Sequence, residues 1–315
     1  MTKFIFMKSI KSLLIILVIP FFSFAWNGIG HSTGGAIAYY YLKANDPQTL
    51  AKVLEALKSH PWYNKTTQGN SRGWADKLVG LTEEQKDVTV FMLASTFPDD
   101  ARMSSGLGGP IKAKWHYIDY PFVPVGQSVT GTPPESPNAE EKINELLTTI
   151  KSESDPQQKA IDICWLCHLI EDVHQPLHTA ALFNTDHPHG DKGGNDTFIQ
   201  FNGASSTKLH SYWDGLIKGT LTTVPANAAA LLKKPAYKET NLPELTSDVS
   251  VHDWITKESF IMAKTNAYKN GTINGLQNSP TNVDATYSSA SGIIAERRIV
   301  LAGIRLAKKL SSLFV

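Results

Sequence analysis

Residues 165–178 read WLCHLIEDVHQPLH, and this stretch restricts the fold more than any other in the chain. His168 and Asp172 are four residues apart, so a helix sets them on one face, one turn apart. Pro176 stops that helix, and His178 follows two residues later, where a turn can bring it back toward the same face. The same helix holds the only two cysteines, Cys164 and Cys167, in the apolar run ICWLCHLI. A redox Cys-x-x-Cys pair would want a strand before it, so buried thiols or a local disulfide are expected.

Helical periodicity continues through most of the chain. Gly30-His31 leads into a segment ending near Leu42, and Asp46-Pro47 caps and starts another, QTLAKVLEALKSH. Thr82 to Gln85 form a capping box that opens a helix to about Phe97, punctuated by Pro98. A Gly/Pro-containing stretch covers 103–137. AEEKINELLTTIKSE and PQQKAIDICWLCHLIEDVH are amphipathic, and further helices are expected near 207–216, 225–234, 245–268 and 289–313. The alternating piece Thr197–Phe201 followed by Asn202-Gly203 reads as a β-hairpin near 197–206. With no repeat or linker, one all-α, mostly helical domain is expected.

The N-terminus has a different character. Lys3, Lys8 and Lys11 precede an apolar run from Leu13 to Phe22, and Ser23-Phe24-Ala25 is a small-x-small site. Residues 1–25 thus read as a removable signal peptide, 26–315 as the mature domain, and the location as secreted or periplasmic. An uncleaved anchor is the alternative. No later segment reaches about 18 apolar residues, so no membrane span is expected after signal removal. The mature chain carries 27 basic and 29 acidic side chains, which rules out a basic nucleic-acid coat. Cleavage would expose the amine of Trp26, with a pKa of roughly 8. That amine and its neighbouring carbonyl can chelate a metal, with His31 supplying imidazole.

Other polar residues repeat the theme. His210 and Asp214, in LHSYWD, form a second i,i+4 pair. Asp99 and His116 stand upstream. Imidazoles and carboxylates at helical spacing suit zinc. Two such pairs with His178, His116 and the exposed amine point to a polynuclear metal site.

These points, in this order, resemble the secreted trinuclear zinc nucleases: the fungal single-strand-specific nucleases, mung bean nuclease and the plant bifunctional nucleases. The resemblance runs from Trp26 and Gly30-His31 through Ala94-Ser95, Asp99, Arg102 and Trp115-His116-Tyr117-Ile118-Asp119. It continues through His168, Asp172, Gln175-Pro176-Leu177-His178, Gly193-Gly194-Asn195 and Leu209-His210-Ser211-x-Trp213-Asp214, and closes on Ala302-Gly303-x-Arg305-Leu306-Ala307. Asp76, in Trp74-Ala75-Asp76, is a decoy for Asp99, which lies 17 residues before His116 and is followed by Arg102. Phe97-Pro98 replaces the family's usual Trp-Ala.

The resemblance implies the helical fold of the phospholipase C/nuclease type and three Zn2+ ions. Asp99, His116, His168 and Asp172 would hold the first. His178, His210 and Asp214 would hold the second. The Trp26 amine and carbonyl, His31 and Asp172 would hold the third, with Asp172 bridging. It further implies zinc-activated hydroxide, made by ions about 4 Å apart, cleaving P–O3′ bonds. The substrates would be single-stranded DNA and RNA, giving 5′-phosphate products, and 3′-nucleotides, giving phosphate. Arg102 would stabilise charge on the phosphoryl group. Tyr117 would stack a base, Asp119 would accept from its edge, and Asn195 would line the same cleft or shape its own loop. No stable protein partner is implied, and a monomer is expected.

Two rivals compete. A zinc phospholipase C shares the fold and the N-terminal tryptophan, but has glutamate where LHSYWD has Asp214. A non-catalytic secreted zinc-binding protein would have no use for Arg102 and Asp119. Among the remaining histidines, His60 and His252 are expected at the surface or capping helix ends. His174 is expected off the ligand face, and His187 and His189 in a polar loop.

Overall fold

Asp46 separates two helices because its carboxylate accepts from Thr49 N at 3.1 Å while Pro47 opens the following turn. These are α1 (Gly28–Asn45) and α2 (Pro47–Lys58). The computed structural model describes residues 26–68, 72–101, 110–246 and 249–315. A one-turn helix, α3 (Ala75–Leu78), precedes α4 (Glu83–Ala101). At the start of α4, Thr82 N donates to Gln85 Oε1 at 2.9 Å and Gln85 N to Thr82 Oγ1 at 3.3 Å, the reciprocal bonds of the expected capping box. Asn138, Asp155 and Asp284 cap α5 (Ala139–Ser152), α6 (Pro156–Asp172) and, near the C-terminus, α9 (Ala285–Leu313). Between the last two lie α7 (Leu209–Asp214) and α8 (Val224–Lys233).

The fold is mostly α, as the periodicity predicts. Among the described residues, five short strands make two small sheets. In one, β1 (Tyr120–Phe122) runs parallel to β2 (Ala180–Leu182), with Tyr120 opposite Ala180. In the other, β3 (Phe198–Phe201) pairs antiparallel with β4 (Thr207–Lys208), Phe198 opposite Lys208. Asn202 and Gly203 turn this hairpin with φ of 47° and 78°. The hairpin is extended by β5 (Thr281–Val283), parallel to β3, from a part of the chain with no alternating pattern.

Three expectations are corrected. Pro98 does not end α4, which runs on to Ala101. A helical proline distorts the turn before it, and in that turn Ser95 O accepts from His168 Nδ1 at 2.7 Å. The segment expected as a helix over 245–268 begins at Val251. Its hydrogen bonding alternates between α (Val251–Asp253, Phe260–Met262) and π (Trp254–Ser259, Ala263–Ala267). His60 is buried rather than a surface or capping residue. It stacks on Trp74 at 4.3 Å and accepts from Trp62 N through Nδ1 at 3.1 Å. Burial pushes its pKa down to about 3. The turn-rich segment after α2 collapses around its own aromatic residues, and His60 goes in with them.

The larger hydrophobic core joins α1, α2, α4, α5, α6, α8 and α9. Within it α1 packs on α4, α8 and α9. Close approach depends on Gly34 and Gly35: a Cβ on Gly34 would lie 2.5 Å from Glu171 Oε1, and one on Gly35 2.6 Å from Phe91 O. A smaller core gathers Leu177, Leu182, Ile199, Leu209, Trp213, Tyr268 and Val283. The two cysteines are free and buried in α6. Among the described residues, no helix is long and apolar enough to cross a membrane.

Candidate metal centre

At the seam between the two cores, the i,i+4 registers of α6 and α7 meet. His168 and Asp172 project from α6, where apolar neighbours keep both fully buried. His168 Nε2 lies 3.2 Å from Asp172 Oδ2 and 2.9 Å from His116 Nδ1. Asp99, from the last turn of α4, brings Oδ1 to 3.7 Å from His168 Nε2 and 3.9 Å from His116 Nδ1. His116 Nδ1 in turn stands 3.1 Å from Asp172 Oδ2.

The other oxygen of Asp172 faces α1. His31 Nε2 is 3.5 Å from Asp172 Oδ1, and its ring stacks on His168 with centroids 3.9 Å apart. Trp26 is buried beside it, its indole Nε1 donating to Glu171 O at 3.1 Å. Asn27 N donates to Asp214 O at 3.1 Å, tying this segment to α7. There His210 Nε2 lies 3.1 Å from His178 Nε2 and 3.5 Å from Asp214 Oδ2.

The donor set fits metal ions in three adjoining groups: His31, His168 and Asp172; Asp99, His116 and His168; His178, His210 and Asp214. Within each group the ligand atoms lie no more than 4.8 Å apart. The imidazoles are oriented as ligands. His168 Nδ1 is held by Ser95 O at 2.7 Å, His178 Nδ1 by His116 O at 2.6 Å and His210 Nδ1 by Gly193 O at 2.6 Å. Each bond fixes the proton on Nδ1 and turns the Nε2 lone pair into the centre. His178 and His210 therefore point lone pairs at each other across 3.1 Å, an arrangement that a shared cation makes favourable.

Glu171 does the same for His31 and was missed in sequence. Its Oε2 accepts from His31 Nδ1 at 2.6 Å and its Oε1 from Ser95 Oγ at 2.9 Å. Burial pushes this carboxyl well above the usual range, and the Ser95 hydroxyl draws it part of the way back. The available signal was an acid beside Asp172, three residues after His168, at the end of the run ICWLCHLI.

A cleft of about 340 Å³ contains Tyr117, Asp119, Lys114, Phe183 and Lys192 in its walls. The Asp119 carboxyl is pushed up to about 7 by burial, with Asp191 and Glu135 adding negative charge nearby. Asn195 is not among the residues that line this cleft. Its Nδ2 donates to Lys192 O at 2.9 Å, within the left-handed loop of Gly193 and Gly194 that holds His210. Arg102 falls outside the described residues.

The remaining candidates stand apart. Asp76 accepts from Thr67 N at 3.0 Å on the surface. His174 is buried beneath α6: Nδ1 donates to Ile170 O at 2.7 Å, and Nε2 accepts from Arg305 at 2.8 Å. Burial and the charges of Arg298 and Arg305 push its pKa well down. His252 is exposed and pairs with Glu140 at 3.0 Å. His187 is buried in its loop, its N donating to Asn184 Oδ1 at 2.7 Å, while His189 borders the cleft.

A family model described as S1/P1 Nuclease matches residues 26–315. "Nuclease S1" of Aspergillus oryzae is 23% identical over 303 residues, covering 90% of each chain. "Endonuclease 4" and "Endonuclease 5" of Arabidopsis thaliana are each 28% identical, over 163 and 167 residues, and these matches span 50% of the length of either relative.

Proposed function

This chain belongs to the S1/P1 nuclease family, and from that premise we propose that it is an exported zinc-dependent endonuclease and 3′-nucleotidase. Its substrates are single-stranded DNA and RNA, cut at the P–O3′ bond to leave 5′-phosphates, and 3′-nucleotides. The observation that carries this reading is the convergence of His31, Asp99, His116, His168, Asp172, His178, His210 and Asp214 on three adjoining ligand groups.

Three zinc ions are assigned to these residues as the family resemblance implies: one to Asp99, His116, His168 and Asp172, one to His178, His210 and Asp214, and one to His31 and Asp172 with Trp26. Asp172 would serve two of them, which its geometry supports: Oδ1 faces His31, and Oδ2 faces His116 and His168. The third set is completed by the Trp26 amine and carbonyl once residues 1–25 are removed, leaving 26–315 as one catalytic domain. Bound zinc supplies Lewis acidity, making water a nucleophile near neutral pH and offsetting charge on phosphoryl oxygens.

The protein's own residues orient the substrate. Tyr117 stacks a base, which only an unpaired strand can offer, and Asp119 accepts from the edge of that base. Arg102 would offset charge on the phosphoryl group. Asn195 is assigned to shaping the His210 loop rather than to base contact. The enzyme works as a monomer without a protein partner.

The deciding assay measures acid-soluble nucleotide released from denatured and duplex DNA, and phosphate released from 3′- and 5′-nucleotides, with and without a chelator. Release from denatured DNA and 3′-nucleotides, abolished by chelation and restored by zinc, is expected. Choline-phosphate release without nucleotide release would overturn the assignment in favour of a phospholipase C.

A further inference from the structure

One buried residue bonds, through its backbone and side chain together, to the ligand-bearing segments on both sides of the seam without being a ligand itself. Gln175 is fully buried, and all four of its polar groups are engaged. Its N donates to Asp172 O at 2.9 Å, and its O accepts from His178 N at 3.0 Å. In the side chain, Oε1 accepts from Leu177 N at 2.6 Å and Nε2 donates to Asp214 Oδ1 at 2.7 Å. The residue thus joins the end of α6, the turn Pro176–His178 and the end of α7.

An amide is the group these contacts require. It presents an acceptor to one neighbour and donors to the other. The Leu177 N–H decides which end is oxygen, so the NH2 end must face Asp214. A carboxylate in its place would set acceptor against acceptor and charge against charge. Donation to Oδ1 leaves Oδ2 on the side of His210 Nε2, at 3.5 Å. The same side chain also holds the turn that aims His178.

We propose that Gln175 is the positioning residue of the His178, His210 and Asp214 site, fixing the Asp214 carboxylate and the His178 turn in one register so that zinc affinity there depends on its amide. This rests on the zinc reading above. Outer partners of metal ligands commonly account for ~10–100-fold in affinity.

The test compares Gln175→Glu, which keeps the shape, and Gln175→Ala with the parent, all beginning at Trp26. Zinc is titrated against a competing chelator, and phosphate release from a 3′-nucleotide is followed at each free zinc level. The parent is expected to bind three ions. Each variant is expected to weaken one of them by ~10–100-fold and to regain parental kcat at saturating zinc. Should Gln175→Ala fail to fold, Gln175→Glu decides alone. Parental zinc affinity in the folded variants, or a loss of activity that saturating zinc does not repair, overturns the proposal. A parent that binds no zinc overturns the metal reading itself and this inference with it.

Discussion

The two halves of the proposed centre are built differently. His31, Asp99 and the pair His168 and Asp172 project from long helices inside the larger core, where backbone hydrogen bonds and packing fix each position. His178 and the pair His210 and Asp214 project from a three-residue turn and a six-residue helix beside the smaller core. The first half adds to its helices the Glu171 carboxylate, the Ser95 carbonyl that holds His168, and His116 from the 3-10 turn Pro110–His116. The second depends on individual bonds to its ligands, donated by the His210 imidazole to Gly193 O and by Gln175 to the Asp214 carboxylate. Short elements hold ligands only when such bonds replace the rigidity that length and burial give.

Replacing one carboxylate in each half tests the contrast most strongly. Asp172→Ala is expected to lower kcat/KM by ~1,000-fold or more and to reduce bound zinc by more than one ion. Asp214→Ala should cost less and remove a single ion, so equal losses in activity and metal would sink the bridging role of Asp172. The next largest effect is expected from the terminus. Retaining Ala25 ahead of Trp26 keeps that amine in a peptide bond, and activity should fall ~100-fold with loss of one ion. Unchanged metal content in the extended protein would remove Trp26 from the ligand set.

A smaller change should reach only the turn-borne half. Gly193 has φ of 62°, and a Cβ there would lie 2.4 Å from Leu177 O. Gly193→Ala should therefore shift the His210 loop and lower kcat/KM by ~10-fold through weaker zinc binding, while the other two ions stay bound. Loss of all three ions together would show that the halves are not separable.

The smallest expected effect lies outside both halves, in the cleft. The Asp119 carboxyl is pushed up to about 7, so it is neutral below that pH and a carboxylate above it. As an acceptor for a base edge it should lower KM as pH rises through about 7. Asp119→Asn should flatten that trend and raise KM roughly threefold at pH 8. Folding carries the opposite sign. A raised acid pKa means the folded state holds the proton more tightly, so the contribution of Asp119 to stability declines between about 4 and 7. Asp119→Asn should accordingly raise the melting temperature at pH 8 and change it little at pH 4. A KM trend that persists in the variant would assign the titration to another group.

The paired ligands of both halves were readable because their information is local. A helix returns to the same face every three to four residues, so His168 with Asp172 and His210 with Asp214 declared their pairing by number alone. Caps were equally local: Asp46 with Thr49, and Thr82 with Gln85, lie within one turn of each other. Glu171 was less legible because its partners, His31 and Ser95, are 140 and 76 residues away. Gln175 could be read as part of a motif, but its bond to Asp214 spans 39 residues.

By itself, then, the sequence determined the mostly helical class, the hairpin at Asn202-Gly203 and the identity of the candidate ligands. Periodicity, capping and turn chemistry act over a few residues, and the side-chain types follow from the chemistry of metal binding. Only the tertiary structure decided that α4 would continue past Pro98, that β5 would join β3, that His60 would be buried, and which oxygen of Asp172 would face which imidazole. These outcomes depend on what distant segments bring to the same place, and packing between the two cores selects among conformations that local rules leave open.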